Sequence, residues 1–394
     1  MRAHQVLLGV ASGFALGYAA QRLSDVLRAR RTPEIGPRSD AAAYGRLRRS
    51  LALCGVARSL AQTYAFAYGP SGEQLERAVE RAPSWLRAGL FAASAAGAGA
   101  LVELPIAFVE EYTIERRYGL SDQAARAWCT DYAKMTLVSV AVIAPLASLA
   151  DAVVQRARQR WPWIASLGIT PLLVLANVVV PLYILPLFNR FEPLRGPLEE
   201  RLRALAARFG VGDAQILRMD MSRQTKKANA FVIGVGRTHR IVLGDTLIDH
   251  FTANEIEFIV AHELGHYVTM DTWRMIGATQ LLFSALAFGA QRITRDDDRS
   301  GPLALARIYA VTSLGGILLR PLLLAFSRSR EWAADRFALA TTNDAANGAA
   351  AFRRLRDQNR AEEDVPRWFE LFFSTHPNLG ARIAALDAAA AADS

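Results

Sequence analysis

From Trp161 to Asn189 the chain carries no charged side chain. That run exceeds the roughly 20 apolar residues a helix needs to cross the hydrocarbon core of a bilayer, with length left for tilt. Trp161 and Trp163 stand at one end of it, where indole rings favour the membrane–water boundary. A chain with such a segment must fold in lipid, yet this one must also fold in water. Its residues are 52 % hydrophobic, but 21 % are charged.

Three shorter uncharged windows, Gln5–Gln21, Met135–Ala150 and Met275–Gln291, are further candidate spans. Leu51–Gly69, Leu90–Val109 and Pro302–Phe326 are apolar but interrupted, by Arg58, by Glu103, and by Arg307 and Arg320. A charge facing lipid is costly, so these side chains are expected to face a hydrated interior or a partner. The pattern predicts a mainly α fold, a bundle of about seven transmembrane helices around an aqueous chamber.

The net charge of +9 is carried almost wholly by arginine, with Lys134, Lys226 and Lys227 the only lysines. A basic surface can address nucleic acid or an anionic membrane. Here the arginines flank apolar segments, which favours the bilayer and argues against a nucleic-acid partner. Arg22, Arg28, Arg30, Arg31, Arg38, Arg46, Arg48 and Arg49 follow the first window. The positive-inside rule then places the N-terminus outside, keeps the first helix uncleaved and puts residues 190–273 in the cytoplasm. Heavy use of alanine and arginine suggests a GC-rich bacterial genome, and with the apolar spans the expected location is a bacterial inner membrane. Cys54 and Cys129 define no disulfide framework.

Residues 190–273 read as water-facing. A helix is expected over Leu198–Phe209, and strands over Ile216–Met219, Ala230–Ile233 and Ile241–Leu243, a small β-sheet. Thr252 and Glu255 form a capping-box pattern that opens the next helix. Inside that helix lies His262-Glu263-Leu264-Gly265-His266. Residues four apart share a helix face, so both imidazoles can reach one zinc ion while Glu263 addresses a water on it. Gly265 costs about 1 kcal/mol of helix propensity against alanine, an odd choice for a merely structural helix. His250 precedes the cap and is expected to point elsewhere. A catalytic zinc takes a third protein ligand. Glu331, in Glu331-Trp332-Ala333-Ala334-Asp335, directly follows the last span, and Asp335 on the same face suits a partner for a ligating histidine. These features divide the chain into residues 1–189, a transmembrane region of about five spans, and 190–394, a zinc-metalloprotease domain with further spans at about 273–291 and 302–326.

Around this site run Glu111-Tyr112-Thr113-Ile114-Glu115, Leu187-Phe188-Asn189-Arg190-Phe191, Asn229-Ala230-Phe231, Leu243-Gly244-Asp245-Thr246-Leu247 and Thr375-His376-Pro377. With them the chain resembles the integral-membrane CAAX prenyl proteases, the type I zinc metalloendopeptidases. The resemblance implies one Zn²⁺ per chain on His262, His266 and Glu331, with Glu263 catalytic and Asp335 as the acidic residue after the third ligand. It places Asn229 and His376 beside the substrate, His376 also as donor to the developing oxyanion. It further implies seven helices enclosing an intramembrane chamber.

The expected reaction is peptide-bond hydrolysis by metal-activated water, on a peptide or protein that is lipidated or membrane-associated. A membrane-protein quality-control protease would use the same catalytic residues. A non-catalytic scaffold or transporter with a structural metal would have no need of Glu263.

Overall fold

The computed structural model describes residues 37–234, 239–294 and 301–392. The expected span Gln5–Gln21 lies outside them, as do the arginines from Arg22 to Arg31. Among the described residues, the α-helices longer than four residues are α1 (Pro37–Tyr68), α2 (Pro70–Val79), α3 (Ser84–Ala107), α4 (Ala125–Arg156), α5 (Trp161–Val179) and α6 (Pro197–Ala207). They continue with α7 (Ala253–Val268), α8 (Asp271–Thr294), α9 (Pro302–Thr342), α10 (Ala345–Asn359), α11 (Arg367–Phe373) and α12 (Leu379–Ala392). The chain forms two compact units. Of the described residues, one unit holds those within 37–113, Cys129–Gly168 and 281–319, and the other those within Ile114–Trp128, 169–280 and 320–392.

The first unit is helical. Among the described residues, four helical stretches of the chain are long and apolar enough to cross a membrane: Ser84–Arg117, Ala125–Arg156, Trp161–Leu187 and Pro302–Thr342. They contain four of the seven expected windows. Leu51–Gly69 and Met275–Gln291 are also helical, on α1 and α8, but do not reach that apolarity. Leu101, Leu137, Leu167 and Leu318 on the apolar stretches are 65–76 % exposed in the protein alone, surface that lipid would cover. Pro105 interrupts α3, which then widens into a π-helical turn at Phe108–Thr113. A proline removes one amide from the ladder and crowds the preceding carbonyl, so the helix must locally rewind.

The charges that interrupt the spans all have partners. Arg58 on α1 grips Glu103 on α3, Nε to Oε1 at 3.0 Å and Nη2 to Oε2 at 2.9 Å, and Gln62 donates to the same carboxylate at 2.8 Å. Arg307 is buried, donates to the Ala67 carbonyl at 3.2 Å and lies 5.2 Å from the Tyr68 ring centre. In the second unit Arg320 stacks 5.4 Å over Phe373.

The second unit holds a four-stranded sheet in the order β1-β2-β4-β3, from β1 (Phe191–Pro193), β2 (Gln215–Met219), β3 (Ala230–Ile233) and β4 (Arg240–Gly244). β2 and β4 are parallel, and β1 and β3 pair antiparallel on the two outer sides. β3 is therefore an edge strand. The capping box forms as expected: Thr252 Oγ1 accepts from the Glu255 amide at 3.3 Å, and Glu255 accepts from the Thr252 amide at 2.7 Å. The helix it opens, α7, buries Ile256, Phe258, Val260, Ala261 and Leu264 almost completely in the main core. A helix that is held this firmly cannot drift relative to the sheet.

Candidate metal centre

Because α7 is anchored along its length, its one-turn repeat puts His262 and His266 on one face, their rings edge to face at 88° and their Nε2 atoms 3.2 Å apart. Glu331 comes from α9, its Oε2 at 3.4 Å from His262 Nε2 and its Oε1 at 3.3 Å from His266 Nε2. One ligand atom from each of the three residues falls within 4.8 Å of the others. The approach depends on Gly265. A Cβ built there would stand 3.1 Å from Phe337 Cδ1 and 3.2 Å from Ala334 Cα, both on α9. The glycine that is poor for the helix is the one that lets α9 cross close enough to deliver Glu331.

The far side of each imidazole is fixed by a carboxylate. His262 Nδ1 lies 2.9 Å from Asp335 Oδ1, and His266 Nδ1 lies 2.9 Å from Asp271 Oδ2. Arginines hold both carboxylates in turn. Arg382 donates to Asp335 from Nε at 2.7 Å and Nη2 at 2.6 Å, and its guanidinium lies 4.3 Å over the Phe352 ring. Arg330 Nε donates to Asp271 Oδ1 at 2.6 Å. With Nδ1 donating outward, each histidine keeps Nε2 for a shared point between them.

The electrostatics are those of a site built for positive charge. Burial would lower the His262 pKa, but Asp335 and Glu331 outweigh it and hold the imidazole up to about 9. Burial likewise opposes His266, and Glu331 and Asp271 raise it. Burial pushes the Glu263 carboxyl up, while the two histidines and the nearby Val232 backbone pull it back. Glu331 Oε2 is buried with no hydrogen-bond partner. Two imidazole nitrogens and a buried carboxylate oxygen without a hydrogen bond form a nitrogen–oxygen donor set of the kind that would suit zinc.

His376 also reaches this cluster, with Nε2 3.5 Å from Glu331 Oε1 and Nδ1 2.8 Å from Thr375 Oγ1. Asn229 stands at the start of β3, its carbonyl accepting from the Gly244 amide at 3.0 Å. Among the described residues, no hydrogen bond joins its side chain to the cluster. His250 turns away, to the Thr246 carbonyl at 2.9 Å. Cys54 and Cys129 are free thiols. Sequence reasoning missed Asp271, Arg330 and Arg382. Asp271 follows the motif closely but begins a new helix, and Arg382 is brought in by α12 from far downstream.

Residues 194–390 match the model of peptidase family M48, and residues 37–190 match the CAAX prenyl protease N-terminal region, described as five membrane helices. The chain is 28 % identical over 297 residues to an uncharacterized metalloprotease, YhfN, of Bacillus subtilis, covering 72 % of this chain and 69 % of that protein. It is 26 % identical over 313 residues to CAAX prenyl protease 1 of Saccharomyces cerevisiae, covering 73 % and 69 %. The crystal structure of Ste24p from S. mikatae superposes with a TM-score of 0.82 at 20 % identity, over 98 % of this chain and 100 % of that one. That likeness identifies the fold.

Proposed function

The chain belongs to peptidase family M48, and we propose that it is a membrane-embedded zinc endopeptidase whose ion is held by His262, His266 and Glu331. One observation carries the reading: three donor atoms converge on one point, with a glutamate, Glu263, next to the first of them on the same helix. The test is hydrolysis of a mixed peptide set by the purified protein. Activity should vanish with a chelator and return with one equivalent of zinc. Unchanged hydrolysis after complete metal removal would overturn the proposal.

Zinc in such a site supplies a water of lowered pKa and polarises the scissile carbonyl. The chain's residues do the rest. Glu263 accepts a proton from the attacking water and passes it to the leaving amine. Asp335 and Asp271 hold the imidazole rings, and His376 Nε2–H donates to the oxygen that gains charge. An extended peptide pairs with the free edge of β3, with Asn229 at its margin. The substrate is a peptide or protein at the bilayer. The relatives named as CAAX prenyl proteases support a lipidated one. Residues 1–189 then serve as the transmembrane region, and 190–394 as the protease domain.

Asp271→Asn should weaken zinc affinity about 10–100-fold, because a carboxylate partner fixes the imidazole and raises its basicity. Competition with a fluorescent chelator reads this directly. Affinity equal to wild type would remove Asp271 from the site.

The orientation we favour, in a bacterial inner membrane, has the zinc site in the cytoplasm and the segment around α2 outside. It rests on the arginine-rich region around Arg46, Arg48 and Arg49 before the Leu51–Gly69 window. In a variant lacking Cys54 and Cys129, an impermeant thiol reagent should label Glu80→Cys in intact cells and leave Glu200→Cys untouched. The reverse pattern would invert the topology.

A further inference from the structure

The geometry points to Asn359 as a plug that ends the substrate-pairing edge of β3 and so limits how far the leaving side of a peptide stays paired. The inference rests on the reading that an extended peptide adds to β3. In an extended strand, alternate residues turn both backbone groups to the same side. Asn229 turns toward β4, since its carbonyl accepts from Gly244, and the register continues with Ala230 opposite Leu243. Ala228, Ala230 and Val232 therefore share the outward edge.

The ends of that edge are already engaged. The Ala228 amide donates to Asn359 Oδ1 at 2.8 Å, and Asn359 Nδ2 donates back to the Ala228 carbonyl at 3.1 Å. The side-chain amide thus stands where the peptide group of a neighbouring strand would stand. At the other end the Val232 backbone lies close enough to Glu263 to favour its carboxylate form. Ala230 lies between them, and no hydrogen bond to its outward amide and carbonyl is recorded among the described residues. Antiparallel addition, the slightly stronger pairing, runs the peptide opposite to β3. The part C-terminal to the scissile bond then heads from Glu263 past Ala230 to Asn359, where pairing stops.

The plug is itself fixed. Asn359 ends α10, and Arg360 beyond it takes a left-handed conformation with φ 48°. Gln358 donates to the Lys226 carbonyl at 2.9 Å and the Thr246 carbonyl at 3.2 Å, and Arg360 Nε donates to the Tyr118 carbonyl at 2.7 Å. These bonds tie the end of α10 to the segment that enters β3, to the turn that follows β4 and to the stretch around Tyr118.

The experiment uses the full-length zinc enzyme and C-terminally amidated peptides lengthened one residue at a time beyond the scissile bond. In the wild type, kcat/KM should level off once the residue opposite Ala230 is present. In Asn359→Ala it should level off two residues later, with a gain of about five-fold for the extra backbone pairing. Gln358→Ala loosens the same helix end without freeing Ala228, and should keep the wild-type length. Zinc affinity should be unchanged in both variants, which separates the effect from damage to the metal site. A wild type that keeps gaining past its levelling point, or an Asn359→Ala variant that levels off at the same length, would overturn the proposal. Binding of the same series to zinc-loaded Glu263→Gln gives a second reading. If no peptide is hydrolysed by the wild type, the endopeptidase reading fails, and the binding series decides Asn359 alone.

Discussion

Glu263→Gln should keep its zinc and its fold while losing hydrolysis by about 10²–10⁴-fold, the usual worth of a positioned general base. The substitution is nearly isosteric. The shape of the side chain is kept, and the helix that carries it is packed along its length, so it has reason to stay in place. What it loses is the ability to take a proton from the attacking water. His262, His266, Glu331 and their carboxylate partners are untouched, so metal content by mass spectrometry should remain at one per chain. The two measurements belong together: a loss of activity accompanied by loss of metal would only report a damaged site. Turnover within a few-fold of wild type would remove Glu263 from the chemistry.

Removing a proposed ligand has the opposite signature. His262→Ala should cost more than the roughly 10–100-fold in zinc affinity typical of losing an outer partner. The fold should survive, because Asp335 keeps its two-pronged contact with Arg382 and is not left as a buried unpaired charge. Acid should act in the same direction as the mutation. Without metal, the carboxylates hold a proton on His262 up to about 9. Zinc needs that nitrogen bare, so lowering the pH strengthens the proton as a competitor and should release the ion. Metal retained on a desalting column, measured from pH 8 to pH 5 for wild type and His262→Ala, checks both. Stoichiometric, chelator-resistant zinc in the variant would remove His262 from the ligand set.

The elements whose signals are local were legible in the sequence. The capping box at Thr252 and Glu255 marks the start of α7, and Ala230–Ile233 is a strand with the bounds its apolar run suggests. The periodicity of the motif is enough to put two imidazoles on one face. Other features are fixed by distant partners and carry no local trace. β1 is three residues long, contains Glu192 and Pro193, and exists because β2 offers it an antiparallel edge. Arg382 joins the site through Asp335, and Asn359 meets Ala228 across a large stretch of sequence. The charges in the apolar segments were legible as anomalies, but their partners were not. Arg58 and Glu103 answer one another across two helices, a pairing that neither segment announces alone.

Gly265 bears on how portable this metal site is. A methyl group there would press on Phe337 and Ala334 at 3.1–3.2 Å, so one helix would have to retreat by a few tenths of an ångström. Metal–ligand distances tolerate only about ±0.2 Å. The transplantable unit is therefore not the five-residue motif but the motif together with the helix crossing its glycine permits. A designer who grafts His262 to His266 onto another helix inherits two ligands. The third arrives only if the new scaffold can bring a second backbone to the same groove at the same depth.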